Sequence, residues 1–252
     1  MAKRSISDTL ALNNSLKIPQ LGFGVYRSPT DVCIQSCLTA LECGYRHIDT
    51  AQYYGNEKEV GLAVKKSGLD RKDIYLTTKI LSLAALSTRA TRTARKEMWQ
   101  ALERLYKEGK AKSIGVSNFG IKHIEELKEY AEVWPPHANQ IELHPWMQQK
   151  EIVEYCEKNG IVVEAYCPLV RNTKADDKTL VGIAEKHGVT PSQVLIQFCL
   201  EKKWIPLPKS DNPGRIKANA DVFGFDLDDE DMGALNGLDQ GRAGAIVQPV
   251  DN

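Results

Sequence analysis

The 252-residue chain carries 33 basic and 33 acidic side chains, with 42% hydrophobic and 26% charged residues. Zero formal net charge argues against the electrostatic footprint of a nucleic-acid or membrane-surface binder, and no apolar run approaches the ~20 residues of a membrane span. The start, MAKRSISDTL, has no apolar stretch behind its basic residues, so it does not read as a signal peptide.

Taken in chain order, strand-like apolar runs alternate with runs of helical period. TLALNNSLKIP reads as a hairpin turning at Asn13, Asn14 and Ser15. QLGFGVY follows as a strand, then a helix from Ser28–Asp31 to Gly44 with Cys33, Ile34, Cys37, Leu38 and Leu41 on one face. The six cysteines, at 33, 37, 43, 156, 167 and 199, lack metal-ligand or CxxC spacing, which predicts a reduced, cytoplasmic protein. YRHIDT and DIYLTTK are the next strands, with NEKEVGLAVKKSG as the helix between them. KEMWQALERLYKEGK is a helix ending at Gly109, with Met98, Trp99, Leu102, Leu105 and Tyr106 inward. KSIGVSN, NQIEL, IVVEAY and WIPLPKS continue the strands. Helices lie between them, one opening on a capping box, Thr190 to Gln193, and NPGRIKANADVF is the last major helix. The remainder from Asp226 reads as an acidic, then glycine-rich tail.

Repeated strand–helix units without a composition break predict one α/β domain over residues 1–252, a parallel sheet closed into a (β/α)8 barrel of the TIM type behind an N-terminal hairpin. The strand count reaches only seven. The shortfall falls in residues 80 to 96, where ILSLAALSTRATRTARK leads from a strand ending on Lys79 straight into a helix. Arg89, Arg92 and Arg95 recur there every three residues and read as a solvated stripe. ILSLAAL is rich in helix-favouring leucine and alanine rather than strand formers.

In such barrels chemistry gathers at the C-terminal strand ends. Those ends carry Asp49, Lys79, Ser117, Asn118 and Tyr166, with Gln140 opening NQIEL. Asp49 and Lys79 suggest a buried ion pair. Tyr54 follows five residues after Asp49, and a lysine beside its phenol would lower the pKa towards working pH. Further on, Lys209, Ser210, Asn212 and Arg215 bring two cations to a helix N-terminus, a physically good phosphate site.

GYRHIDTAQYYGNEKEVG, TTK, GKAKSIGVSNF, NQIELHP, VEAYCPL and IPLPKS followed by Arg215 and Asn219 occur in the order seen in aldo-keto reductases. The chain resembles that family from the hairpin to about Leu238. The resemblance implies NADPH-dependent reduction of an aldehyde or ketone on a monomeric barrel, with no metal, nucleic acid or membrane involved. It assigns Tyr54 as the general acid, tuned by Lys79 and Asp49. Ser117, Asn118 and Gln140 would hold the nicotinamide carboxamide, and Tyr166 would stack on the ring. Lys209, Ser210, Asn212 and Arg215 would clamp phosphates, and Asn219 would meet the adenine.

The family has a further strand after the lysine-ending one, closing on a catalytic histidine, and residues 80 to 110 contain no histidine. The expectation is therefore a barrel lacking one strand–helix unit. Of the five histidines, His47 reads as core, His123 and His187 as helix residues, His137 as sitting opposite the active rim, and His144 as non-catalytic. Two readings follow, a working reductase or a catalytically impaired NADPH-binding relative.

Overall fold

The computed structural model describes residues 4–80, 91–247 and 250. A hairpin of β1 (Thr9–Ala11) and β2 (Lys17–Pro19) comes first, paired antiparallel with Leu10 opposite Ile18. Leu12 and Ile18 share an apolar cluster with Ile205 and Leu207, so the hairpin packs against the entry of the last strand.

Two parallel sheets follow. β3 (Phe23–Gly24), β4 (His47–Asp49) and β5 (Tyr75–Thr77) form one in that order. β6 (Val116–Ser117), β7 (Ala138–Glu142), β8 (Val162–Tyr166) and β9 (Ile205–Pro206) form the other. The amides of Gly22 and Gly24 donate to the carbonyls of Pro206 and Pro208 at 3.1 and 3.0 Å, which joins β3 to the edge of β9. Seven parallel strands thus run in sequence order from β6 through β9 and β3 to β5. Among the described residues no backbone hydrogen bond crosses from β5 to β6. Near that seam the Tyr75 and Ser113 hydroxyls share a side-chain hydrogen bond at 2.5 Å.

Helices pack outside. α1 (Thr30–Glu42) buries Cys33, Cys37, Ala40 and Leu41, as its periodicity predicts, and α2 (Glu57–Lys66) packs on it. α3 (Arg92–Lys107) begins four residues before the expected start, because the Thr91 side chain caps it by accepting from the Ala94 amide. Of the arginine stripe, Arg92 is solvated as expected and pairs with exposed Glu129, whereas Arg95 is largely covered in an ion pair with Glu126 on α4 (Ile121–Leu127). Trp99 of α3 packs with Ile114 and Leu127 in a cluster beneath this helix pair. ILSLAAL beyond Ile80, and Arg89, lie outside the described residues.

α5 (Lys150–Lys158), α6 (Lys178–His187), α7 (Pro191–Glu201) and α8 (Pro213–Ala220) complete the alternation. The expected capping box at Thr190 and Gln193 is present. The tail holds one helix more than the sequence reading, α9 (Asp229–Asn236). Asp228 caps it, and Asp231 on its first turn accepts from Lys186 and His187 of α6. Beyond α9 the chain returns over the strand ends. Gly244 lies so close that a Cβ there would sit 1.8 Å from the Trp146 carbonyl oxygen. No described helix is long and apolar enough to cross a membrane.

Candidate active site

The polar strand ends converge. On β4, His47 and Asp49 point to the same side of the sheet, since side chains alternate along a strand. Asp49 is 4% exposed, and both of its carboxylate oxygens lie 2.7 Å from the Lys79 ammonium, two residues past β5. Register explains the meeting: Asp49 pairs with Thr77, and the Gln52 amide donates to the Lys79 carbonyl at 3.0 Å. Burial works to lower the Lys79 pKa, but Asp49 and Tyr54 outweigh it and the net direction is upward.

Tyr54 sits on a short helical turn held from below. Buried Asn56 accepts from the Thr50 hydroxyl at 2.8 Å and donates to the Val25 carbonyl at 2.9 Å, which fixes the loop after β4. The Lys79 ammonium lies 5.1 Å from the Tyr54 ring centre, and the Tyr26 ring packs on Tyr54 with centres 5.0 Å apart. Neighbouring Tyr53 is 58% exposed and takes no part. One expectation is corrected: burial raises the Tyr54 pKa, and Lys79 offsets that only in part. The phenol therefore holds its proton, with the Lys79 ammonium close to its ring.

The remaining strand-end residues assemble beside this group. The Ser117 hydroxyl and Asn118 amide both donate to the Gln140 carbonyl, at 2.9 and 3.0 Å. Asn118, with φ of 57°, turns its carboxamide oxygen to accept from the Tyr166 hydroxyl at 3.0 Å. Burial pushes the Tyr166 phenol up, which keeps it a neutral ring with its hydroxyl tied down. The Gln140 side-chain nitrogen donates to Asp49 at 2.9 Å and to Glu164 at 2.6 Å.

Around α8, the Asn212 side chain caps the helix by accepting from the Arg215 amide at 3.0 Å, and the Ser210 hydroxyl accepts from the Asn212 amide at 3.1 Å. Asn219 is buried one turn along. Lys209 pairs with Asp211, whose other oxygen accepts from Ser28 at 2.6 Å. Arg215 is exposed on the first turn and forms no ion pair among the described residues. An open guanidinium beside a capped helix start fits a phosphate group.

The five histidines are all described. His47 is fully buried, with Nε2 2.9 Å from the Thr77 hydroxyl, and burial lowers its pKa to about 4. His137 lies against Ile114 at the entry end of β7. His144 bonds Glu142, His187 bonds Asp231, and His123 accepts from the Gly120 amide. Sequence reasoning missed three acids: Glu142, Glu164 and Asp211. A signal for the first two existed, since each interrupts an apolar strand run and a buried carboxylate demands partners.

Residues 21–94 and 86–240 match the model of the Aldo/keto reductase family. The chain belongs to that family. A glyoxal reductase of Bacillus subtilis is 37% identical, with 94% of each chain covered. An oxidoreductase of Schizosaccharomyces pombe is 42% identical over 91% of this chain and 93% of its own. Among solved structures, an aldo/keto reductase from Brucella melitensis superposes with a TM-score of 0.86 at 39% identity, covering 92% of this chain and all of that one. As an aldo-keto reductase, the chain belongs to a family of oxidoreductases acting on carbonyl compounds.

Proposed function

We propose that this aldo-keto reductase reduces aldehydes or ketones to alcohols on a single barrel, with Tyr54 as general acid and NADPH as reductant. The observation that carries the reading is the placement of Tyr54 over the Lys79–Asp49 ion pair, next to the Ser117, Asn118, Gln140 and Tyr166 cluster. Bound NADPH would supply the hydride. Tyr54 would give its proton to the carbonyl oxygen, and Lys79 would stabilise the resulting phenolate while Asp49 keeps the ammonium in place. Ser117, Asn118 and the free end of Gln140 would hold the carboxamide, and Tyr166 would offer its ring as a stacking face. Lys209, Ser210, Asn212, Arg215 and Asn219 would receive the phosphates and adenosine.

We also read the chain as lacking one strand–helix unit after Lys79. Three observations support this: the seam between β5 and β6, the family match in two stretches that meet at residues 86–94, and the alignment to the S. pombe relative. That alignment spans 255 positions while using 91% of a 252-residue chain, which leaves roughly two dozen of the relative's residues without a counterpart. The engagement of all five histidines elsewhere favours the second reading, an NADPH binder with impaired turnover. NADPH consumption with a reactive aromatic aldehyde separates the two. Turnover above the buffer rate is expected from the reductase, and cofactor binding without consumption would leave the binder.

A further inference from the structure

Glu164 lies two residues before Tyr166 on β8, so both side chains share a face and Glu164 sits one step deeper in the barrel. It is 3% exposed. The strand register sets it opposite Gln140, whose side-chain nitrogen donates one proton to Glu164 at 2.6 Å and the other to Asp49 at 2.9 Å. One amide therefore bridges two carboxyl groups, and Lys79 is the cation paired with the Asp49 end of that network.

We infer that Glu164 is a positioning residue whose charge, acting through Gln140, Asp49 and Lys79, sets how readily Tyr54 gives up its proton. This rests on the reading of Tyr54 as the general acid.

The groups facing Glu164 support it. From β4 comes Asp49, which buried His47 also feels; from β5 comes the Tyr75 phenol, with Lys79 just beyond that strand; from β7 comes Gln140. On β9 its register partner is apolar Ile205. Burial first, and Asp49 second, push the Glu164 carboxyl up to about 7, with Gln140 and Lys79 opposing. Near neutrality it passes between acid and carboxylate. As an acid it leaves Lys79 to one anion. As a carboxylate it puts a second negative charge on the same ammonium, so the phenolate of Tyr54 is less well stabilised. Reduction should then weaken as pH rises through the Glu164 titration.

Tyrosine ionisation in the purified full chain tests this without cofactor or aldehyde. It is followed by ultraviolet difference absorbance in wild type and Glu164→Gln, each against its own Tyr54→Phe counterpart. Removing the acid should lower the Tyr54 titration, because Lys79 then answers to one carboxylate fewer and stabilises the phenolate better. An unmoved Tyr54 titration would overturn the inference. Carboxyl carbon NMR of the wild-type chain is the second measurement: a glutamate titrating near neutrality and missing from Glu164→Gln supports it, and a Glu164 titrating in the ordinary carboxylate range overturns it. Turnover adds a third readout, since Glu164→Gln should hold its rate to higher pH than wild type. Absence of turnover in both proteins would instead count against the reductase reading, leaving the ionisation result to decide the role of Glu164.

Discussion

Tyr54→Phe is expected to cut kcat for aldehyde reduction by roughly 10²- to 10⁴-fold, the usual contribution of a positioned general acid. The ring remains to pack against Tyr26, so folding and NADPH affinity should change little. Only the proton is removed. The effect belongs to the step in which negative charge develops on the substrate oxygen, so it should appear in kcat rather than in KM. Tyr53→Phe is the control: its side chain is exposed and away from Lys79, and its rate should match wild type. Equal rates for Tyr54→Phe and wild type would remove Tyr54 from the mechanism.

Asp49→Ala should be the most destabilising single change at the site. Asp49 accepts two bonds from Lys79 and one from Gln140, and its loss leaves an ammonium facing the barrel interior without its anion. Breaking a buried pair from one side costs roughly 3–5 kcal/mol. Lys79 keeps 24% of its side chain exposed, which places the cost near the lower end, about 3 kcal/mol. For a chain of this size each kcal/mol moves Tm by about 2–4 °C, so thermal unfolding should begin about 6–12 °C earlier. Asp49→Asn keeps an acceptor for Lys79 and should lose less. A shift under about 2 °C for Asp49→Ala would mean that the pair is effectively hydrated.

The two substitutions report on different links of one chain. Tyr54 is placed by a loop that Asn56 fastens, and Lys79 by the register of β5 on β4. In the proposed mechanism Asp49 would serve both folding and chemistry, because the charge that holds Lys79 in the barrel also keeps it near the Tyr54 ring.

Much of this was legible in the sequence, because local rules governed it. Period-2 and period-3.6 patterns placed β3 to β9 and most helices, and polar residues ending apolar strands marked the rim. What was missed depended on distant partners. Arg95 read as part of a solvated stripe because Glu126, which covers it, lies more than thirty residues away. The acidic run from Asp228 read as tail although Asp228 offers a local cap, because the α6 partners that hold the helix, Lys186 and His187, give no local signal. The direction of the Tyr54 shift was misjudged for the same reason: the lysine was visible in the sequence, but the burial that outweighs it was not. Glu164 and Glu142 were visible as acids inside apolar strands, yet only the register shows that one faces Gln140 and that the other accepts from the backbone amides of Ile246 and Val247.

Deuterium transfer from the nicotinamide would report the proposed hydride step directly. The purified chain is given NADPH labelled on one face of nicotinamide C4, then on the other, with a reactive aromatic aldehyde, and the alcohol is analysed by mass spectrometry. One labelled form should put one deuterium on the alcohol carbon and the other none, because Tyr166 would cover a single face of the nicotinamide. Alcohol labelled equally from both forms, or no alcohol at all, would contradict it.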